Sequence, residues 1–132
     1  MSNQLPAMLA FYREAIGLPV KFALRHADGT PFGYYLAAGQ TTFLEIFDQA
    51  GAVKEWGGEA ARMRPNQGTC YHHFCLEVEG LEAECARLRA AGVEVGPVSV
   101  GMDHSKQAWL KDPDGNSIEL MEYTPRSLQV QG

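Results

Sequence analysis

The sequence predicts an α+β fold of two duplicated modules, each a helix with several strands, and three observations carry that expectation. Residues 108–122 read as two short strands joined by the tight turn Asp112-Pro113-Asp114-Gly115-Asn116. Ala15-Ile16-Gly17-Leu18-Pro19-Val20 recurs as Ala90-Ala91-Gly92-Val93-Glu94-Val95, 75 positions on. Phe43-Leu44-Glu45-Ile46 recurs as Ser117-Ile118-Glu119-Leu120, 74 positions on. Two repeats at nearly the same offset imply two modules of similar length, with a division into residues 1–62, the first module plus linker, and 63–132, the second.

In the first half, Pro6 suits the start of a helix because its missing N–H would have no partner there. Met8, Phe11, Tyr12 and Ala15 follow at helical spacing, and Gly17 provides the left-handed stop. Strands are predicted over Leu18 to Leu24, Phe32 to Ala37 and Thr41 to Phe47, the first two joined at Asp28-Gly29. His26, beside that turn, is expected at the surface. Ala50 to Gly68 shows no clear period and reads as a linker, in which Lys54-Glu55-Trp56 and Glu59 to Met63 are candidates for a short helix, with Trp56 either a pocket lid or pinned against a neighbouring surface.

In the second half a strand runs from Tyr71 to Val78. Phe74, Leu76 and Val78 share one face, and His73, Cys75 and Glu77 the other, because side chains alternate across a strand. A helix follows with Leu81, Cys85 and Leu88 on one side, closed by Gly92. Val93 to Val95 and Val98 to Val100 are short strand candidates, and Gly101 to Lys106 is a polar loop into the last hairpin. In that hairpin Pro113 presets the turn, Gly115 takes a positive φ, and Glu119 projects away from Ile118 and Leu120. Glu45 projects likewise from its strand, so each module presents one carboxylate opposite its aliphatic face.

With 132 residues the chain can bury a core without staples. Three cysteines, Cys70, Cys75 and Cys85, lack a Cys-x-x-Cys spacing, and an odd count argues against a disulfide framework. A reducing cytoplasm is the expected location. No apolar run approaches a membrane-spanning length and no export signal opens the chain. The net charge of −5, with Lys and Arg scattered, disfavours a nucleic-acid partner.

The turn Asp112-Pro113-Asp114-Gly115-Asn116 followed by Ile118-Glu119-Leu120, with Phe11-Tyr12-Arg13-Glu14, Ile16-Gly17-Leu18 and His73-Phe74-Cys75-Leu76-Glu77-Val78, resembles the vicinal-oxygen-chelate superfamily, which includes glyoxalase I, bleomycin-resistance proteins and extradiol dioxygenases. The resemblance implies paired β-α-β-β-β modules with mixed curved sheets around a cavity. In that family the first strand of a module can carry a His ligand and the last strand a Glu, which implies Glu45, His73 and Glu119 as ligands to a divalent metal. Imidazole and carboxylate donors suit Zn, Ni, Co, Mn or Fe, and also Mg. The first-module counterpart of His73 falls upstream of Met1, so the first strand is expected to be missing or truncated, and the sheet edge left open favours a homodimer.

The implied function is that of a metal-dependent lyase, isomerase or epimerase acting on a small substrate with vicinal oxygens through a metal-stabilised, enediolate-like intermediate. Glu119 is the expected base and Glu45 the alternative. Two carboxylates about 4 Å apart repel by about 4 kcal/mol at an effective dielectric near 20, so a cation, or a proton on one of them, must accompany them. Phe43, Phe47, Trp109 and Met121 are candidate apolar walls. His104 and Lys106 are candidate substrate contacts from the polar loop, and His72 reads as structural or surface. Two alternatives stand beside this reading: a metal-free protein that sequesters a flat small molecule with its aromatic residues, and an Fe(II) dioxygenase.

Overall fold

A computed structural model describes residues 1–60 and 72–131; the predicted linker beyond residue 60, Cys70 and the strand start at Tyr71 lie outside them. The fold is mixed α+β and divides into two compact units, Met1–Pro65 and Asn66–Gly132.

In the first unit α1 (Leu5–Ala10) runs on into a π-helical turn, Phe11–Ile16, ending at Gly17 with φ 93°. Leu5, Met8 and Tyr12 are its buried side chains, at the spacing that puts them on one side. Three antiparallel strands follow, β1 (Val20–Arg25), β2 (Pro31–Ala37) and β3 (Phe43–Phe47), in the order β1-β2-β3. The β1–β2 hairpin closes as its Asp-Gly pair predicts: Asp28 Oδ1 accepts from the Thr30 amide at 2.8 Å. That bond holds the Asp28 carboxyl down at about 2.

The residues after β3 depart from the linker expectation in part: the short helix expected around Lys54-Glu55-Trp56 begins earlier, at Gln49. α2 (Gln49–Trp56) forms there, with Asp48 accepting from the Gly51 amide at 2.6 Å as its N-cap. His26 also departs from expectation. It is buried, with Nδ1 2.7 Å from Glu55 Oε2 and its ring stacked on Phe32 at 4.6 Å. The hairpin turn lies at the surface, but the last residue before it folds inward because α2 offers a carboxylate and an aromatic shelf. Trp56, half exposed, stands edge-on to Phe32 and Phe47 at 5.3 and 5.2 Å.

In the second unit β4 (His73–Glu77), α3 (Leu81–Ala90), β5 (Ser99–Val100), β6 (Lys106–Lys111) and β7 (Ser117–Glu122) make a four-stranded sheet ordered β4-β7-β6-β5. β4 and β7 are parallel and the other pairings antiparallel. Of the valine-rich stretch before β5, only Val95 pairs, in a single bridge to Leu110. Leu81, Cys85 and Leu88 of α3, with Ala108, Leu110, Ile118 and Leu120 of the sheet, form the core. Each leucine buried this way stabilises the unit by about 1.5–3 kcal/mol. Glu122 reaches back to accept from the Leu81 amide at 2.8 Å, satisfying a donor that the N-cap, Gly80, cannot reach. The final turn is tied by the Asp112 carboxylate, which accepts from the Asn116 backbone amide at 2.9 Å and its side-chain amide at 2.8 Å, with Gly115 at φ 82°.

The place that β4 takes beside β7 is taken beside β3 by a single parallel bridge, Ser2 to Asp48. The Ser2 amide donates to the Phe47 carbonyl at 2.8 Å and the Gln49 amide donates to the Ser2 carbonyl at 2.9 Å. Glu119 therefore sits on an interior strand, and Glu45 on a strand with one full neighbour.

Candidate active site

The register of the two units repeats as closely as the sequence. Tyr35 lies directly opposite Glu45 across β2 and β3, and Trp109 directly opposite Glu119 across β6 and β7, each pair separated from its counterpart by 74 positions. In both units an aromatic ring and a carboxylate share the sheet face turned away from the aliphatic core.

In the second unit that face carries His73 and Cys75 from β4, Glu119 and Met121 from β7, and Gln107 and Trp109 from β6, as strand alternation and the register require. Glu119 is only 6% exposed, flanked by Cys75 and Trp109. His73, partly exposed, places Nε2 3.2 Å from Glu119 Oε2, and its ring meets the Trp109 ring at 4.7 Å, nearly edge to face. Cys75 lies at the surface, and partial desolvation, followed by the Glu119 carboxylate, pushes its thiol up to about 11, which favours the protonated form at neutral pH.

Toward the far end of this face, Asp103 accepts from the Gln129 side chain, which also lies 3.8 Å from Met121 Sδ. The bonds from Gln129 and Ser105 hold the Asp103 carboxyl below its usual range. Buried Ser105 and Ser127, bonded at 2.9 Å, anchor the C-terminal segment that supplies Gln129.

Lys106 is placed differently from the substrate contact expected of it. It alternates onto the helix-bearing face of β6, where Nζ lies 3.1 Å from Glu82 and 3.5 Å from Glu122. These contacts raise the Lys106 pKa, with the Glu82 bond the largest cause. His104 stays in its exposed loop with a left-handed backbone, φ 65°, and its carbonyl accepts from Thr124 at 2.9 Å. His72 precedes β4, so its ring is free of the strand's alternation. Its Nδ1 is 2.8 Å from His73 Nδ1, which makes it a neighbour of the candidate ligand and not a residue of the opposite side.

In the first unit Glu45 is exposed and is hydrogen-bonded by Tyr35, whose hydroxyl pKa is raised by burial and by that carboxylate. Around it Phe22 stacks on Tyr35 at 4.3 Å, while Phe43 and Phe47 each meet Tyr35 edge-on at 6.3 Å. Sequence reading found Phe43 and Phe47 but passed over Tyr35 and Phe22, although the 74-residue offset that pairs Glu45 with Glu119 also pairs Tyr35 with Trp109.

Of the three expected metal ligands, His73 and Glu119 meet within the second unit, and Glu45 occupies the corresponding position of the first. Among the described residues no group of three or more His, Cys, Asp or Glu side chains is close enough to hold a metal ion. The His73 nitrogen and Glu119 oxygen, adjacent on one reachable face, fit two positions of a divalent-cation site. Among the described residues no helix is long and apolar enough to cross a membrane.

Comparison with known proteins bears on this geometry. The chain is 32% identical over 135 residues to the probable lactoylglutathione lyase of Vibrio parahaemolyticus, covering 98% of this chain and 91% of that protein. The crystal structure of SMU.1112c superposes with a TM-score of 0.73 at 25% identity, covering 92% of each chain. TnmS3, an antibiotic binding protein from Streptomyces sp. CB03234, superposes with a TM-score of 0.66 at 26% identity, covering 94% of this chain and 89% of that one. The sequence model of the Glyoxalase/Bleomycin resistance protein/Dioxygenase superfamily matches residues 1–120, and the chain belongs to that superfamily.

Proposed function

We propose that this protein is a glyoxalase-like lyase or isomerase for a small substrate with vicinal oxygens, dependent on a divalent metal. The observation that carries the reading is the 3.2 Å approach of His73 Nε2 to a buried Glu119 carboxylate, in a chain 32% identical to a probable lactoylglutathione lyase. His73 and Glu119 would hold the metal, and Glu45 is the further candidate ligand. Bound there, a divalent metal would supply Lewis acidity.

Glu119 is the base in this proposal. It takes the proton from the hydroxyl-bearing carbon beside the substrate carbonyl and returns it to the carbonyl carbon, while the hydroxyl proton passes to the former carbonyl oxygen, a net isomerisation through an enediolate-like anion. A carboxylate 6% exposed is shielded from bulk water, which keeps the abstracted proton from exchanging away. Trp109 and Met121 form the apolar wall beside it. Glu45 is the alternative base. An exposed aromatic surface, Phe22, Phe43 and Trp56, supports pairing of two copies into a homodimer.

The test is elemental analysis of untagged protein purified without chelator, beside Glu119→Ala, followed by assay with lactoylglutathione. About one divalent ion per chain, lost in the variant together with activity, is the expected result. No metal after incubation with Zn, Ni, Co, Mn and Fe(II) would overturn it.

The aromatic array of the first unit favours a second reading, a metal-free protein that sequesters a planar small molecule. Under it, planar ligands quench tryptophan fluorescence in the presence of chelator, and Glu119→Ala leaves that binding intact. An absolute requirement for Fe(II) would point instead to dioxygenase chemistry.

A further inference from the structure

Of the side chains that the β2–β3 pairing places on the aromatic face of the first unit, Glu45 alone is charged. Its neighbours there are rings. Tyr35 lies directly across from it on β2, and Phe22 lies directly across from Tyr35 on β1, stacked on it at 4.3 Å. Phe43 and Phe47 stand two residues to either side of Glu45, about 6.6 Å along the strand in each direction, and both meet Tyr35 edge-on at 6.3 Å. Trp56 braces Phe47 at 5.2 Å.

The Glu45 carboxylate is exposed and takes the Tyr35 hydroxyl, and among the described residues no Lys, Arg or His forms an ion pair with it. Arg25, at the irregular end of β1, is turned to the Gly29 carbonyl at 2.8 Å. A negative charge set among rings favours one kind of occupant. A hard divalent ion needs several oxygen ligands, and beside Glu45 this face adds only the Tyr35 hydroxyl. A primary ammonium has three N–H donors to satisfy, and rings satisfy them poorly. An ammonium whose hydrogens are replaced by alkyl groups needs no acceptors: its charge faces the carboxylate and its methyl groups lie against the rings, whose π-faces attract a cation within about 6 Å.

We propose that Tyr35, Phe43, Glu45 and Phe47 form a binding site for a small, free organic cation of the alkylated ammonium class. The site lies wholly within the first unit and goes beyond both readings of function above, since it needs neither a metal at His73 and Glu119 nor a planar ligand.

The probe is choline, titrated into the full chain as purified and followed by amide NMR. Its comparison is the dimethylbutanol in which carbon replaces the nitrogen, so that shape is kept and charge is lost. Saturable shifts centred on residues 35 and 43–47 are expected, with choline bound about tenfold more tightly than the alcohol. At an exposed site one ring or one charge contributes about 2–5-fold in affinity, so Phe43→Leu and Glu45→Gln are each expected to weaken choline binding by about that factor. Equal affinity for choline and the alcohol, no saturable shift on this face, or full affinity in Glu45→Gln overturns the proposal.

Two further arms locate the ligand. The titration repeated with chelator should give the same affinity; binding that appears only with chelator means that a metal occupies Glu45, which overturns the proposal without touching His73 and Glu119. Vesicles of phosphatidylcholine carry the same head group, and co-sedimentation with them would overturn the assignment to a free compound. Phe43 and Glu45 are exposed, and amide spectra of both variants that match wild type outside β2 and β3 confirm that the affinities compare folded proteins.

Discussion

Gly33→Ala is the sharpest single perturbation of the first unit. A Cβ at position 33 would stand 2.3 Å from Phe47 Cδ1 and 2.6 Å from Cε1. Ordinary carbon contacts are about 3.5–4.0 Å, so the Phe47 ring must retreat by more than about 1 Å. That ring is an edge-on neighbour of Trp56 at 5.2 Å and of Tyr35 at 6.3 Å, and lies 6.4 Å from Phe32. Each such pair stabilises by about 0.5–1.5 kcal/mol beyond area burial, and overpacking costs about 1–3 kcal/mol. A destabilisation of about 1–3 kcal/mol is therefore expected in urea unfolding, with Trp56 emission altered when Trp109→Phe leaves it the sole tryptophan. The cause is one ring, so in a Phe47→Ala background the same Gly33→Ala change should cost almost nothing. A double-mutant coupling below about 0.5 kcal/mol, the additivity expected of independent sites, would refute the packing argument.

Two further outcomes follow from the second unit. In a Cys70→Ser background, alkylation of Cys75 should stay about a hundredfold slower at neutral pH than that of an ordinary thiol and climb until about pH 11, because only the thiolate reacts. Glu119→Gln removes a charge that opposes ionisation and should shift that climb to lower pH; a plateau near pH 9 in the parent protein would contradict the assignment. Ser127→Ala strips the Thr124 amide of its 2.8 Å acceptor and Ser105 of its 2.9 Å partner. It should cost about 1–3 kcal/mol and speed amide exchange across residues 124–131, whereas a change confined to exchange, with global stability intact, would mean that the segment opens independently of the fold.

Much of the candidate site was legible because strand alternation is a local rule. Once Ile118 and Leu120 are read as core, Glu119 must face the other way, and the same rule puts His73 with Cys75. Lys106 fails on that rule's other half. Its alternation is set by Ala108 and Leu110, two of the fully or nearly buried residues of β6, and it follows them to the helix side, where Glu82 and Glu122 hold it. Reading it as part of a polar loop hid a strand that begins with it.

The burial of His26 and the start of α2 were missed for a different reason. A lone histidine beside a turn carries no local sign of burial; what buries it is Glu55, 29 residues on, on a helix whose glycine-containing start obscures its period. Asp48 was the available signal, an N-cap residue directly after a predicted strand.

The sequence by itself determined the duplication, the identity of the carboxylate in each repeat and the face each would present, because period-two alternation and turn chemistry act between neighbours in the chain. Tertiary structure decided how the two carboxylates differ. Glu119 is on a strand flanked on both sides, which strips it of water and sets His73, brought in by the parallel pairing of β4, against it. Glu45, with β2 on one side and a single bridge from Ser2 on the other, stays exposed and takes the Tyr35 hydroxyl as a partner. Burial and partner are properties of which strands lie side by side, and that is decided by contacts between residues far apart in the chain.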